Sequence, residues 1–131
     1  MLERDFFMRI LREFEAAVQA FLEKNEGEDK DAMLKELYKR YVGPYELLRN
    51  MTIDEALDYA QDKWKPEERI QRLEMLAELW YDEGDQMGSK PMRDLILDKA
   101  FKLLDYVDSH SSTYSMTRKQ KLAHIRQLQE N

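Results

Sequence analysis

LAELWYDEGDQMGSKPMRDLILDKAFKLLDYVD, residues 76–108, is the stretch that decides the fold. Its first part places Trp80 and Tyr81 within a run of carboxylates that ends at the dipeptide Gly84-Asp85, and its second part has apolar residues at helical spacing. Two interpretations compete: an acidic site for metal or acid–base chemistry, and the turn of a helical hairpin. Because both flanks have the helical period and a glycine separates them, the pattern favours the hairpin.

Outward from this stretch, the chain continues as helices. Residues 3–24 carry a broad apolar stripe, which predicts a first helix. Residues 33–42 carry a second stripe, and that helix is expected to stop at Gly43-Pro44. Thr52 and Glu55 predict a capping box at the start of a third helix, which is expected to end near Trp64. A fourth helix is expected from Pro66 to Gly84, a fifth over residues 91–107, and a sixth near the C-terminus after a loop at 108–115. No segment alternates with period two long enough to predict a strand.

The composition is typical of a helical domain, and it disfavours some classes of binding partner. The 131 residues include 43% hydrophobic and 37% charged residues but only four glycines and three prolines, which disfavours a turn-rich β fold. A net charge of −6 disfavours general affinity for nucleic acid or anionic membranes. There is no cysteine, so thiolate catalysis and thiolate zinc sites are excluded, and a reducing compartment suits the chain.

The N-terminal residues predict neither a signal peptide nor a membrane span. Glu3 and Asp5 stand where a signal peptide carries positive charge, and charged residues interrupt every apolar run. We therefore expect a cytoplasmic protein without membrane contact.

The acidic residues of the central stretch are a candidate chemical site. Glu74, Glu78 and Asp82 recur every four residues, so they share one helix face. A di-metal bundle requires Glu-x-x-His pairs, and the sequence contains none. Since this face points away from Leu73 and Trp80, we interpret it as solvated and without chemistry.

No other set of residues predicts catalysis or cofactor binding. His110 falls in the serine-rich loop and His124 on the last helix, and neither belongs to a pair with metal-ligand spacing or stands at a recognisable distance from a nucleophile. Glycine-rich phosphate loops are also lacking. The sequence therefore predicts no catalytic residues, no metal and no cofactor, hence no enzyme.

The C-terminal segment has the opposite charge to the middle of the chain. Residues 117–131 carry four basic residues against one acidic, a net charge of +3, whereas residues 52–108 carry fifteen acidic against eight basic, a net charge of −7. The basic residues are Arg118, Lys119, Lys121 and Arg126. They could contact RNA or DNA phosphates, but one short helix offers few such contacts, so docking on the acidic middle or simple solvation is favoured.

Aromatic residues are the other strong signal. Fourteen of them, seven Tyr, two Trp and five Phe, exceed what a minimal core requires, and aromatic side chains anchor protein interfaces. Phe6 and Phe7 are adjacent, so they point about 100° apart on a helix and cannot both face one partner. The candidate interaction residues are Phe6, Phe7, Ile10, Tyr41 and Tyr45, and the candidate walls of a ligand pocket are Trp64, Trp80 and Tyr81.

The central stretch resembles a tetratricopeptide-repeat hairpin. Leu76, Ala77, Leu79, Trp80 and Tyr81 before Gly84-Asp85 look like its first helix, and KAFKLL, residues 99–104, like its second. The sequence departs from the repeat in placing Ala100 fifteen positions after Asp85 and in having only one such unit. With its DFFMRILREF and TIDEAL segments, the chain is similar to a family of small uncharacterised bacterial all-helical proteins with one such hairpin, a resemblance that implies a fold and no activity.

Together these features predict a single all-α domain over residues 1–131, with about six helices in stacked antiparallel hairpins. Its parts are an N-terminal hairpin over 1–48, a capped helix with the tetratricopeptide-like hairpin over 52–108, and a basic C-terminal helix over 116–131. The expected function is non-catalytic protein–protein interaction or self-assembly, most simply as a homodimer. The alternatives are a small-molecule-binding protein and an RNA-associated factor that uses the C-terminal helix.

Overall fold

A computed structural model of the chain describes residues 2–24 and 28–130, and over these ranges it contains seven helices and no strand. The all-α prediction is confirmed. The helices are α1 (Leu2–Glu23), α2 (Glu28–Tyr41), α3 (Tyr45–Arg49), α4 (Ile53–Lys63), α5 (Arg69–Asp85), α6 (Lys90–His110) and α7 (Met116–Glu130). The short helix α3 was not predicted, because its single turn follows Pro44 directly and is too short to show a periodic pattern.

The chain divides into two compact units, Met1–Asn50 and Met51–Asn131. In the first unit, α1 and α2 form a hairpin. Phe14 of α1 meets Tyr41 of α2 edge to face, with 5.1 Å between ring centroids, inside an apolar core. That core contains Phe7, Phe14, Val18, Phe21, Leu34, Leu37, Tyr38 and Tyr41. Gly43 ends the hairpin with a φ of 153°, a backbone conformation that favours glycine.

The second unit begins with a capped helix. Thr52 Oγ1 accepts a hydrogen bond from the Glu55 backbone N–H at 3.2 Å, and the Thr52 N–H donates to Glu55 Oε1 at 3.0 Å, so the predicted capping box is confirmed. Helix α5 begins at Arg69 instead of Pro66. Residues 65–68 form a turn, and Arg69 Nε donates to the carbonyls of Ala60 and Trp64, which satisfies the C-terminal end of α4.

Helices α5 and α6 form the most extensive helix–helix contact, and they are antiparallel. Lys99 lies over the Trp80 ring at 4.3 Å, while Ile96 and Leu97 approach Gly84. Residues later in α5 therefore contact residues earlier in α6, as antiparallel helices require. A Cβ atom at Gly84 would lie 2.9 Å from Leu97 Cδ2, which is closer than side chains pack. The glycine thus marks a close approach between the two helices, and α5 ends one residue after it, at Asp85, close to the predicted end.

Helix α6 also continues to His110, past the expected end near Val107, because its last turn is closed by the side chain of His110. The ring stacks on Tyr106 with 3.9 Å between centroids, and Nδ1 lies 2.8 Å from the Tyr106 carbonyl oxygen. The loop therefore covers only residues 111–115. Ser115 then caps α7, since its Oγ accepts from the Arg118 N–H at 3.1 Å.

Helix α7 packs on the same unit and runs parallel to α5. Arg118 meets Glu74, Lys121 meets Glu78 and His124 meets Tyr81, pairs that are separated by a nearly constant 43 or 44 residues. A constant separation is possible only if both helices advance in the same direction. The order α5, α6, α7 is therefore up, down, up. Within residues 2–24 and 28–130, no helix combines the length and apolarity that crossing a bilayer requires.

Candidate functional site

The interface between α5 and α7 concentrates the charged side chains of the second unit. At its lower end, Arg118 is only 2% exposed and its guanidinium is fully engaged. Nη1 donates to Glu74 Oε2 at 2.9 Å, Nε donates to Asp108 Oδ1 at 2.9 Å, and Nη2 donates to the Thr113 carbonyl at 2.8 Å. One buried cation therefore joins α5, the end of α6 and the loop before α7.

Asp108 is the acceptor that holds this end of the interface together. Its second oxygen accepts from Lys119 Nζ at 2.5 Å, so two cations share one carboxylate. Hydrogen bonds from Lys119 and Arg118 hold the pKa of Asp108 below its ordinary value. The predicted docking of the basic segment on the acidic middle of its own fold is thus what the structure contains.

The middle of the interface contradicts the interpretation of Glu78 and Asp82 as a solvated acidic face. Lys121 pairs with Glu78, whose side chain is only 18% exposed, and Asp82 is 4% exposed. The face does point away from Leu73 and Trp80, but Arg118 and Lys121 of α7 pair with Glu74 and Glu78 along it. The prediction was wrong because the partner of this face lies some 40 residues away in the sequence, where a single-helix pattern cannot show it.

Asp82 has the most unusual environment in the described part of the chain. Burial, followed by the negative charge of Glu78, raises its pKa to about 8, and Lys121 opposes this only in part. The oxygens Asp82 Oδ2 and Glu78 Oε2 are both buried, and neither has a hydrogen-bond partner among the described residues. At neutral pH the Asp82 carboxyl is therefore mainly protonated.

At the upper end, Tyr81 and His124 are joined side chain to side chain. Tyr81 Oη lies 2.5 Å from His124 Nδ1, and the donor of this hydrogen bond depends on the histidine tautomer. Burial, together with the charges of Asp85 and Asp82, raises the pKa of Tyr81 to about 12, so its hydroxyl stays protonated. His124 is half-buried through this contact with α5.

An open cleft of about 450 Å³ lies beside this interface, between α6 and α7. Its lining is mixed: Phe101 and Leu122 supply apolar surface, Arg126 lies over the Phe101 ring at 5.0 Å, and Asp105 supplies a carboxylate. Neither Asp82 nor the Tyr81–His124 pair lines this cleft. Over the described ranges, no three of His, Asp and Glu are grouped so that they could hold a metal ion.

The candidate pocket walls have separate environments. Trp80 is fully buried beneath Lys99, whereas Trp64 is half-buried and meets Tyr59 edge to face at 5.4 Å. Tyr81 faces His124. The cleft between α6 and α7 is lined by none of these three residues.

The candidate interaction residues divide in the way that their spacing predicts. Phe6 is 59% exposed, whereas the adjacent Phe7 is 9% exposed and belongs to the core. Ile10 is half-buried one turn after Phe6. Tyr41 is buried against Phe14, and Tyr45 packs edge to face on Tyr38 at 5.0 Å. Phe6 is therefore the exposed member of this set, while Ile10 and Tyr45 are half-buried.

Most residues of the candidate basic patch are buried or bound to carboxylates of the same unit. Arg118 is buried, Lys119 is bound to Asp108, and Lys121 is bound to Glu78. Arg126 is exposed and lies over Phe101. Most of the positive charge of α7 is therefore neutralised within the fold.

One signal in the sequence could have revealed this interface. Arg118, Lys121 and His124 recur every three residues, and Glu74, Glu78 and Tyr81 recur at three or four. Two helices with complementary residues at matched spacing can pair in parallel register. Comparisons with protein-family models, curated proteins and solved structures find no match to this chain.

Proposed function

We propose that this protein is a non-catalytic protein-interaction module that associates with a second copy of itself through α1. The observation that carries the proposal is the exposure of Phe6. Its ring is 59% exposed at the edge of the α1 core face, while neighbouring Phe7 fills the core. Large aromatic side chains at such positions are typical anchors of protein interfaces.

The surface around Phe6 supports contact with another protein chain. Ile10 lies one turn along the same helix edge and is half-buried, so the two side chains form a short apolar strip. Arg9 and Glu13 are exposed beside it and carry opposite charges. An apolar centre with a charged rim is the usual composition of a non-obligate interface.

A second copy is the partner that the charges favour. An interface between identical chains must be self-complementary, because the same patch occurs on both sides. Arg9 and Glu13 provide both signs within one turn of α1, so a two-fold contact can oppose unlike charges. A patch of one sign would repel its own copy.

The second unit supports the tetratricopeptide-like part of the proposal. Leu76, Ala77 and Trp80 of α5 are buried, as are Ala100, Leu103 and Leu104 of α6, and these positions carried the resemblance. The up, down, up order of α5, α6 and α7 is typical of stacked helical hairpins. On this basis we propose membership of the small bacterial family described above, with the cytoplasm as compartment, which the cysteine-free sequence suits.

Light scattering after size exclusion tests the proposal at two protein concentrations and two salt concentrations. We expect a dimer whose fraction rises with concentration and changes little with salt, because an apolar contact dominates it. A monomer under all four conditions would contradict self-association. An outside protein partner would then be the remaining form of the interaction hypothesis.

A second candidate function, small-molecule binding, is favoured by the cleft between α6 and α7. Its volume of about 450 Å³ lies in the range of ligand pockets, and Phe101 with Arg126 and Asp105 offers a ring face and both charges. A thermal-shift screen against metabolites, repeated with Phe101→Ala, tests it. A shift that disappears in the variant would support a ligand in this cleft.

A further inference from the structure

Two carboxyl oxygens in the interface between α5 and α7 lack donors. Glu78 Oε2 and Asp82 Oδ2 are buried, lie one turn apart on the same face of α5, and accept no hydrogen bond from the described part of the chain. Two ionised carboxylates can only accept, so neither can satisfy the other. A single proton between the two groups would give one of them a donor and remove one buried negative charge.

We propose that Glu78 and Asp82 share one proton, and that this proton acts as a pH-sensitive clasp that holds α7 against α5. Loss of the proton would leave two buried anions next to each other, facing the single cation Lys121. Buried charges without sufficient partners need water. Lys121 of α7 lies against this face, so movement of α7 away from α5 would open it to water.

The other charged groups around the pair do not provide a second cation. On α5, Asp85 adds negative charge, Glu83 is a further buried acid, Arg69 is bound to the end of α4, and Arg72 pairs with Glu68. On α7, only Lys121 acts on Asp82 directly, while His124 is bound to Tyr81. The half-buried charged residues of α6 are engaged elsewhere: Asp108 by Arg118, Asp98 by Lys102, Lys99 at Trp80, and Arg93 with Asp94. The charged residues of α4 are exposed: Asp54, Glu55, Asp58, Asp62 and Lys63.

The pH range of the clasp follows from the direction of the shift. Burial and Glu78 raise the pKa of Asp82 from 3.8 to about 8 in the folded chain. The docked state therefore binds the proton more tightly than the undocked state. Its stabilising effect is complete below about pH 4, is lost progressively as the pH rises toward 8, and changes no further above that value.

Hydrogen exchange of the full chain, followed by mass spectrometry from pH 5 to 9, tests the clasp. Protection factors are corrected at each pH for the intrinsic exchange rate. We expect protection in α7 to fall by up to about tenfold per pH unit between pH 5 and 7, since one proton is released on opening, and to level off above pH 8. Peptides from α2, in the other unit, serve as the internal reference.

Three variants separate the clasp from other titrations. Asp82→Asn keeps a donor for Glu78 and removes the proton, so its α7 protection should not vary with pH. Asp58→Asn, an exposed carboxyl on α4 that is not among the charges acting on Asp82, should retain the wild-type profile. His124→Asn should also retain it, because the proposal gives the histidine no part in the titration. An Asp82→Asn profile like that of the wild type, or a flat His124→Asn profile, would overturn the proposal.

Direct titration of Asp82 keeps the test independent of the variants. The side-chain carboxyl carbon of Asp82, followed by NMR in the wild-type protein, should titrate well above the normal range for aspartate. Titration of Asp82 near pH 4 would contradict the clasp even if every variant failed to fold.

Discussion

Arg118 Nε donates to Asp108 Oδ1 across 2.9 Å, and this ion pair joins the start of α7 to the end of α6. The same guanidinium reaches Glu74 on α5. A cation that is 2% exposed and contacts three segments is costly to replace, because its partners would be left without a donor. Arg118 is therefore the main polar attachment of α7.

Replacing Arg118 by methionine should destabilise the second unit by about 2 to 3 kcal/mol. The cost lies below that of breaking a fully buried pair, since Glu74 is about one-third exposed and Asp108 keeps Lys119. Urea unfolding followed by tryptophan fluorescence measures it. Both tryptophans, Trp64 and Trp80, belong to residues 51–131, so the signal reports this unit.

Arg126→Met is the matched control for that variant. Arg126 lies on the same helix but is exposed, and its contact with the Phe101 ring contributes about 0.5 to 1 kcal/mol. Equal losses in the two variants would contradict the role given to Arg118.

Gly84→Ala should destabilise the contact between α5 and α6 by about 1 to 3 kcal/mol. The added Cβ would lie 2.9 Å from Leu97 Cδ2 and 3.0 Å from Leu97 Cγ, so the helices must separate or Leu97 must leave its position. Gly88→Ala is the control, since no heavy atom lies within 4 Å of the Cβ built there. Thermal unfolding by circular dichroism should show a lower midpoint for Gly84→Ala and none of this loss for Gly88→Ala.

Asp108 should make the docking of α7 sensitive to acid. Hydrogen bonds from Lys119 and Arg118 lower its pKa below 3.8, so its stabilising effect is present above that value and is lost as the pH falls through the lowered value. Between about pH 4 and pH 2 the wild type should therefore lose stability more steeply than Asp108→Asn. Parallel unfolding midpoints for the two proteins over this range would show that Asp108 does not contribute.

Local patterns in the sequence were sufficient for most of the fold. Thr52 and Glu55 predict a capping box because both partners lie within four residues, and the apolar stripe of α1 depends only on helical spacing. The close approach at Gly84 was not predictable in the same way. A glycine near a helix end indicates a stop, and α5 does end one residue later, but only the position of Leu97 on another helix shows that Gly84 also serves packing.

The candidate site depended on contacts that a local pattern does not contain. Glu78 and Asp82 have the spacing of an exposed face, and the cation that pairs with Glu78 is Lys121 of α7, 43 positions away. Exposure of Phe6 beside buried Phe7 follows directly from their adjacency on a helix, so this division could be anticipated. Whether Phe6 or Phe7 faces the core depends on the position of α2, which their adjacency does not give.

Sedimentation velocity of the wild type, Phe6→Ser and Met8→Ser tests the central claim most directly. Met8 is 44% exposed on α1 but lies about 160° from the Phe6–Ile10 edge, so it controls for the loss of exposed apolar surface. Self-association through α1 predicts a concentration-dependent dimer for the wild type and Met8→Ser, and a monomer for Phe6→Ser. A dimer that survives Phe6→Ser, or a wild type that stays monomeric at every concentration, would contradict it.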